Sequence, residues 1–212
     1  MPRVRKITKN PLKTLKNYFL VDACFLAEKY LPVTTAKTED MKNRIREVKR
    51  WWKEIDKQVD EERARVYIPD VCIAEAFKVL AKKNHQEHAF LKTHHYYTAR
   101  NKLANDITTT PKVLKSKKRH IKYHDMPTSR DVIISVDRFY ELFMKYGQNV
   151  GVNDLLIVAT AKYLMDFHDA QRGQIHIITM DEALWRGSKL ITELPNAYDP
   201  SKSTDTFNRI FK

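Results

Sequence analysis

The 212-residue sequence holds four glycines in all. A chain so short of glycine has no Gly-rich loop to cradle nucleotide phosphates, which disfavours P-loop and Rossmann enzymes. It has two cysteines, Cys24 and Cys72, both in apolar surroundings. That rules out a disulfide-stapled scaffold and reads as reduced core thiols of a cytoplasmic protein. No apolar run approaches the ~20 residues of a membrane span, so no membrane partner is expected. The opening residues lack the apolar segment of a secretory signal. They also lack acids from Met1 to Val21. A transit peptide is nonetheless disfavoured, because Tyr18 to Asp22 already reads as a core strand. No internal repeat and no sharp break in composition divides the chain.

What is present is an ample core and an excess of positive charge. Hydrophobic residues make up 42% of the chain and charged residues 31%, with a net charge of +13. Such a charge is an argument about partners and not about fold. A polyanion is the first candidate, and nucleic acid the commonest one.

The apolar pattern predicts alternating strands and helices. Residues 1–17 read as a basic lead-in. Asn17-Tyr-Phe-Leu-Val-Asp22 reads as a buried strand, followed by a short helix from Ala23 to Tyr30. Met41, Ile45, Val48, Trp52, Ile55 and Val59 fall alternately four and three apart, one stripe of a long helix over 38–65. That helix packs on the domain or forms a dimer seam. Val66 to Pro69 reads as a strand, Asp70 as the N-cap of the next helix, and His88 to Leu103 as another. Residues 105–127 read as a basic loop insertion, Val132 to Val136 as a strand, and Asp137 to Tyr146 as a helix closed by Gly147. A buried helix then follows Val150, and a strand ends at Asp181. Leu190 to Leu194 reads as the last strand, and 196–212 as a polar tail. Alternation of this kind predicts one α/β domain over 18–195, a parallel sheet with helices on both faces.

Four acids stand out by position. Asp22 closes the first strand, and Glu75 lies in the opening turns of the helix after the second. Asp154 opens the helix before the strand that Asp181 closes. In an open parallel sheet the carboxyl ends of strands and the helix N-termini that follow them share one edge, where ligands bind. Carboxylates crowded there stay ionised only around a cation, and hard oxygen ligands suit Mg²⁺ or Mn²⁺. Such ions activate water against a phosphodiester. Taken singly, Asp154 (or its neighbour Asn153) and Asp181 are also plausible helix or turn caps, and Glu75 a dipole-favoured surface acid.

Phe19-Leu-Val-Asp22, Ile68-Pro-Asp-Val-Cys-Ile-Ala-Glu75, Asn153-Asp-Leu-Leu-Ile-Val-Ala-Thr-Ala161 and Ile177-Ile-Thr-Met-Asp181 together resemble the four-motif pattern of PIN-domain ribonucleases. The resemblance spans about Tyr18 to Leu194. It implies a PIN-like three-layer α/β/α fold and a Mg²⁺- or Mn²⁺-dependent endoribonuclease. Asp22, Glu75 and Asp154 would be metal ligands, Asp181 a ligand or supporting acid, and Thr179 a polar neighbour of the pocket beside Asn153. Many small members are toxins of toxin–antitoxin pairs, and many form dimers, so an antitoxin partner and a homodimer are implied. Where the family often carries Ser, Thr or Asn after the first acid, this chain has Ala23. A catalytically inactive RNA-binding or assembly module of the same fold is the alternative.

Within 105–127, Lys112, Lys115, Lys117, Lys118, Arg119 and Lys122 form a charge run suited to RNA contact. His85, His88, His94 and His95 cluster in one helical region but have no cysteine beside them. They read as surface residues and not as a zinc site. Trp51 and Trp52 are adjacent on a helix, so they cannot both face the core squarely; ordinary packing is expected of them, with a partner contact or base-stacking platform for one of them as the alternative. An aspartyl-phosphate phosphatase is disfavoured, because Cys24 stands where such enzymes need a second acid two residues after the first.

Overall fold

A computed structural model describes residues 16–107, 123–202 and 204–211. Five strands, all parallel, form one sheet in the order β3-β2-β1-β4-β5. They are β1 (Asn17–Val21), β2 (Ala64–Pro69), β3 (Tyr123–Met126), β4 (Ile175–Ile178) and β5 (Asn196–Tyr198). The helices are α1 (Ala23–Glu28), α2 (Glu39–Asp60), α3 (Asp70–His85), α4 (Thr93–Ile107), α5 (Arg130–Lys145), α6 (Val152–Phe167), α7 (Glu182–Leu190) and α8 (Thr204–Ile210). The predicted α/β class and three-layer arrangement are both observed.

The strand order reverses direction at β1. From β1 the chain steps outward to β2 and β3, then crosses back to β4 and β5. Right-handed connections therefore place α1 to α4 on one face and α5 to α7 on the other. Side chains on β1 report both layers. Asn17 donates to Gln58 of α2 (3.0 Å), while Tyr18, pointing the opposite way, stacks on His168 beyond the end of α6 (4.5 Å between ring centres). The central strands are buried on both sides, which explains their unbroken apolar runs: Phe19, Leu20, Val21, Ile175, Ile177 and Ile178 have no exposed surface.

Several boundaries differ from the sequence reading. The long helix α2 ends at Asp60, and Ala64 and Arg65 already belong to β2. A turn intervenes in which Glu62 adopts a positive φ of 57°. The helix expected over 88–103 starts and ends later, as α4. The expected strand Val132–Val136 is instead the start of α5. Ser129 caps that helix by accepting from the Val132 N–H (3.3 Å), and Val132, Phe139 and Phe143 form its buried face. Local capping and helical spacing override the β-branched run there.

The C-terminal segment is no tail. Leu190 still belongs to α7, and the last strand is Asn196–Tyr198, pinned where Ser188 Oγ accepts from the Ala197 N–H (3.0 Å). Helix α8 then folds back onto α2. Phe207 and Phe211 meet Trp51 edge-on at 5.6 and 5.4 Å. Trp52 stacks on Phe25 at 4.9 Å and donates to its carbonyl (3.1 Å). Both tryptophans are consequently buried. A second layer over α2 makes room for two adjacent core rings, which a helix packed on one side does not. Of the predicted basic loop, 105–107 belong to α4 and 123–126 form edge strand β3. Lys112, Lys115, Lys117, Lys118, Arg119 and Lys122 lie outside the described residues.

Candidate metal-binding acidic site

All four predicted acids stand at the carboxyl-terminal edge of the sheet. Asp22 follows β1 directly and is itself the N-cap of α1, accepting from the Phe25 N–H through Oδ1 (2.6 Å). Its Oδ2 accepts from the Thr179 hydroxyl and from the Met180 N–H, both at 2.7 Å. The loop after β4 thus grips the acid that ends β1, two strands that are direct neighbours. Thr179 is fully buried, and its hydroxyl oxygen also accepts from the Asp181 N–H (2.9 Å). One side chain therefore orients Asp22 and the backbone of Asp181 together.

Asp181 is the N-cap of α7, with Oδ1 accepting from the Leu184 N–H (2.7 Å). The sequence left capping open for this residue, and the structure shows it. Asp154 is not the N-cap, although its carboxylate accepts from the Gly151 N–H and so supports the helix start. Gly151 takes that position, and Asn153 and Asp154 lie in the first turn of α6. A Cβ on Gly151 would stand 3.3 Å from Asp154 Oδ2, so the bare glycine gives that carboxylate its room. Asn153 donates to Glu75 Oε2 (3.2 Å), joining the openings of α3 and α6. Asp70 does not cap α3 either; it is the helix's first residue, exposed, with Pro69 before it.

The electrostatics record the crowding. Burial pushes Asp22 up to about 6, although its three donors oppose the shift. Asp154 is pushed up to about 7, first by burial and then by repulsion from Asp181, Asp22 and Glu75. Cys24, beside the same acids, is pushed up to about 12, chiefly by burial. Its thiol is therefore a poor nucleophile. Both cysteines are free, Cys72 buried and Cys24 half-buried.

Sequence reasoning missed Glu28. It is buried at the end of α1, held by Arg44 through Nη2 (2.6 Å) and Nε (3.1 Å), and its charge adds to the upward shift of Asp22. A lone acid closing the otherwise apolar Ala-Cys-Phe-Leu-Ala-Glu run was the available signal. The Phe25 and Met180 N–H donors carried none, because backbone groups have no sequence signature.

The donor chemistry suits a hard divalent cation: all oxygen, with two carboxylates driven toward protonation first by burial and then by acidic neighbours. The geometry is not a finished cage. Among the described residues no three of His, Cys, Asp or Glu close on a common point, the histidine cluster of α3 and α4 included. Asp22 has both oxygens engaged, and Asp181 and Glu75 one each.

Fold and site together define a PIN-like α/β/α protein with an acidic edge. Among solved structures, the chain is similar to the crystal structure of FitAcB from Neisseria gonorrhoeae, with 14% identity and a TM-score of 0.49 over 87% of this chain and 99% of that one. It is also similar to FitAB bound to an IR36 DNA fragment, with 14% identity and a TM-score of 0.50 over 86% and 95%. At that identity the likeness concerns the fold alone. No known family profile and no curated protein matches the chain.

Proposed function

We propose that the protein is a metal-dependent endoribonuclease that hydrolyses RNA phosphodiester bonds at its acidic edge. The observation that carries this reading is the placement of Asp22, Glu75, Asp154 and Asp181 along the carboxyl edge of one parallel sheet, where burial and the charges of the other three raise the Asp154 carboxyl. Structural caps alone explain Asp22 and Asp181. Helix-end contacts do not by themselves account for the charge of Asp181, Asp22 and Glu75 that bears on Asp154.

Asp22, Glu75 and Asp154 would hold Mg²⁺ or Mn²⁺, with Asp181 beside them. When bound, the ion supplies an activated water and charge neutralisation at the phosphate. The chain's own residues do the positioning. Thr179 and the Met180 N–H fix the rotamer of Asp22, and Asn153 steadies Glu75. The basic character of the chain supplies the attraction for a polyanion, and the run from Lys112 to Lys122 is the candidate RNA grip. A toxin role, with an antitoxin protein as partner and a homodimer as the working form, completes the reading; a cytoplasmic setting fits it. Among the described residues no helix is long and apolar enough to cross a membrane.

A second reading has its own observation. Asp22 has both oxygens engaged, and Ala23 offers no polar side chain next to it. Both favour a PIN-like RNA-binding or assembly module without turnover. The deciding experiment is cleavage of a panel of single-stranded and structured RNAs with Mg²⁺, Mn²⁺ or chelator, by wild type, Asp22→Asn and Asp154→Asn. Metal-dependent cleavage lost in both variants supports the nuclease. Salt-sensitive RNA binding without turnover supports the silent module. DNA belongs in the panel as an arm, since FitAB was solved with DNA.

A further inference from the structure

Helices α3 and α4 carry positive charge that their own sequence does not balance. Between Ala76 and Asn105 the chain holds six lysines and arginines and a single acid, Glu87. Lys83 already pairs with that acid (2.6 Å). Lys78, Lys82, Lys92, Arg100 and Lys102 are exposed and have no carboxylate partner among the described residues. The solvent face of α2 is built differently: Lys42, Arg46 and Arg50 each pair with a glutamate of the same helix. A solvated charged face is ordinarily of that mixed kind. Lys82 lies in the last turn of α3, where it offsets the negative end of the helix dipole. That explanation does not reach Lys78 or Arg100, which lie in the middle of their helices.

A second observation gives this charge a direction. Lys78 and Lys82 follow Glu75 three and seven residues later, on one side of α3. The two helices run antiparallel. His85 meets Tyr96 edge-on at 5.7 Å between ring centres, and farther along α4 the Arg100 guanidinium stands 5.8 Å from the centre of the Phe77 ring. Arg100 therefore sits at the level of Phe77, two residues from Glu75. One turn before it on α4, Tyr97 is 55% exposed, its ring tilted against the buried Tyr96 at 5.2 Å. Three unneutralised cations and one open aromatic ring thus lie along the α3–α4 seam that ends at Glu75. Cations for the phosphates and open rings for the bases are the combination that single-stranded nucleic acid requires.

We propose that this seam is the track along which single-stranded RNA reaches the acidic edge, its phosphates on Lys78, Lys82 and Arg100 and one base on Tyr97. The proposal rests on the nuclease reading for the destination of the strand alone; the contact itself needs no metal. A single strand can turn a base out onto a ring, whereas a duplex keeps its bases stacked inside.

The test is fluorescence anisotropy of a labelled oligouridine with the full chain, in chelator, over a range of salt. Lys78→Ala, Lys82→Ala and Arg100→Ala combined should weaken binding at least ~10-fold and flatten the slope of log affinity against log salt by about 2, the value for three phosphates of a single strand. Tyr97→Ala should weaken binding about fivefold and leave the slope unchanged. The four side chains replaced are exposed, so these variants keep the fold. Lys42→Ala, Arg46→Ala and Arg63→Ala combined remove equal charge from paired positions and should leave the slope nearly unchanged. Equal losses in the two triple variants overturn the proposal. So do an unchanged slope in the first, no oligouridine binding by wild type, or tighter binding of duplex DNA than of oligouridine. The expected pattern in a protein that never cleaves RNA would keep the track and overturn the nuclease reading alone.

Discussion

The two edges of the sheet are built from the same strands and carry opposite chemistry. At the carboxyl edge, Asp22, Asp181 and the first turns of α3 and α6 bring acids together, and buried carboxyls are pushed up to about 6 and 7. At the amino edge, the cations Lys189 and Arg209 and the amides of Asn17 and Asn196 line one cavity with His176, a neutral histidine that burial pulls down to about 4. A parallel sheet sorts its connections this way: strands exit and helices enter at one edge, and helices exit at the other. Acids suit the first, at positive helix ends, and bases the second, at negative ones. The lesson is that topology separates the two charges before any ligand arrives. Sharp chemistry then depends on which groups are buried.

The strongest break of this contrast is Asp154→Asn. On the proposed metal-dependent reading it should lower RNA cleavage by at least ~10³-fold, with an unchanged circular-dichroism spectrum. Next is Gly187→Ala, in the helix that runs from one edge to the other. A Cβ there would lie 2.2 Å from the fully buried Phe143 ring. Overpacking should cost about 2–3 kcal/mol in urea denaturation and weaken both edges together.

The edges should also answer pH in opposite senses in metal-free protein. His176 has a depressed folded pKa, so its contribution is present above 6.5 and lost as pH falls toward 4. Asp22 and Asp154 have raised folded pKa values, so their contribution is full below 3.8 and lost as pH rises through 6 to 7. Urea midpoints across pH 4–8 should show a loss at each end, on the order of 2–3 kcal/mol for the histidine and about 1–2 kcal/mol for the partly hydrated Asp154. His176→Gln should flatten the acid side alone, and Asp154→Asn the alkaline side alone. Smallest is Thr179→Val. Asp22 loses one of three donors, so kcat/KM should fall about tenfold and the acid limb of the pH profile should move upward. An unmoved profile would assign Thr179 to packing only.

Much of the acidic edge was legible. Asp22, Glu75, Asp154 and Asp181 each adjoin an apolar run, and the order of those runs implied a parallel sheet. The amino edge was not legible, because its residues come from 17, 172–176, 189–198 and 206–210, with no motif joining them. Its last part was read as a polar tail. Aromatic Phe207 and Phe211, spaced four apart, were the signal that it packs. The Val132–Val136 reading failed because a β-branched run is ambiguous without its cap. The tryptophan pair packs as expected, but how both adjacent rings find cover was not legible, because a second covering layer has no trace in the helix's own periodicity.

By itself the sequence determined the alternation of strands and helices, the excess of positive charge and the acids that end each run. Periodicity and composition are properties of neighbours along the chain. Tertiary structure alone decided which acids are caps, which feel one another's charge, and which side chains meet at the far edge. Those depend on burial and on contacts between residues more than a hundred positions apart, as between Asp22 and Thr179.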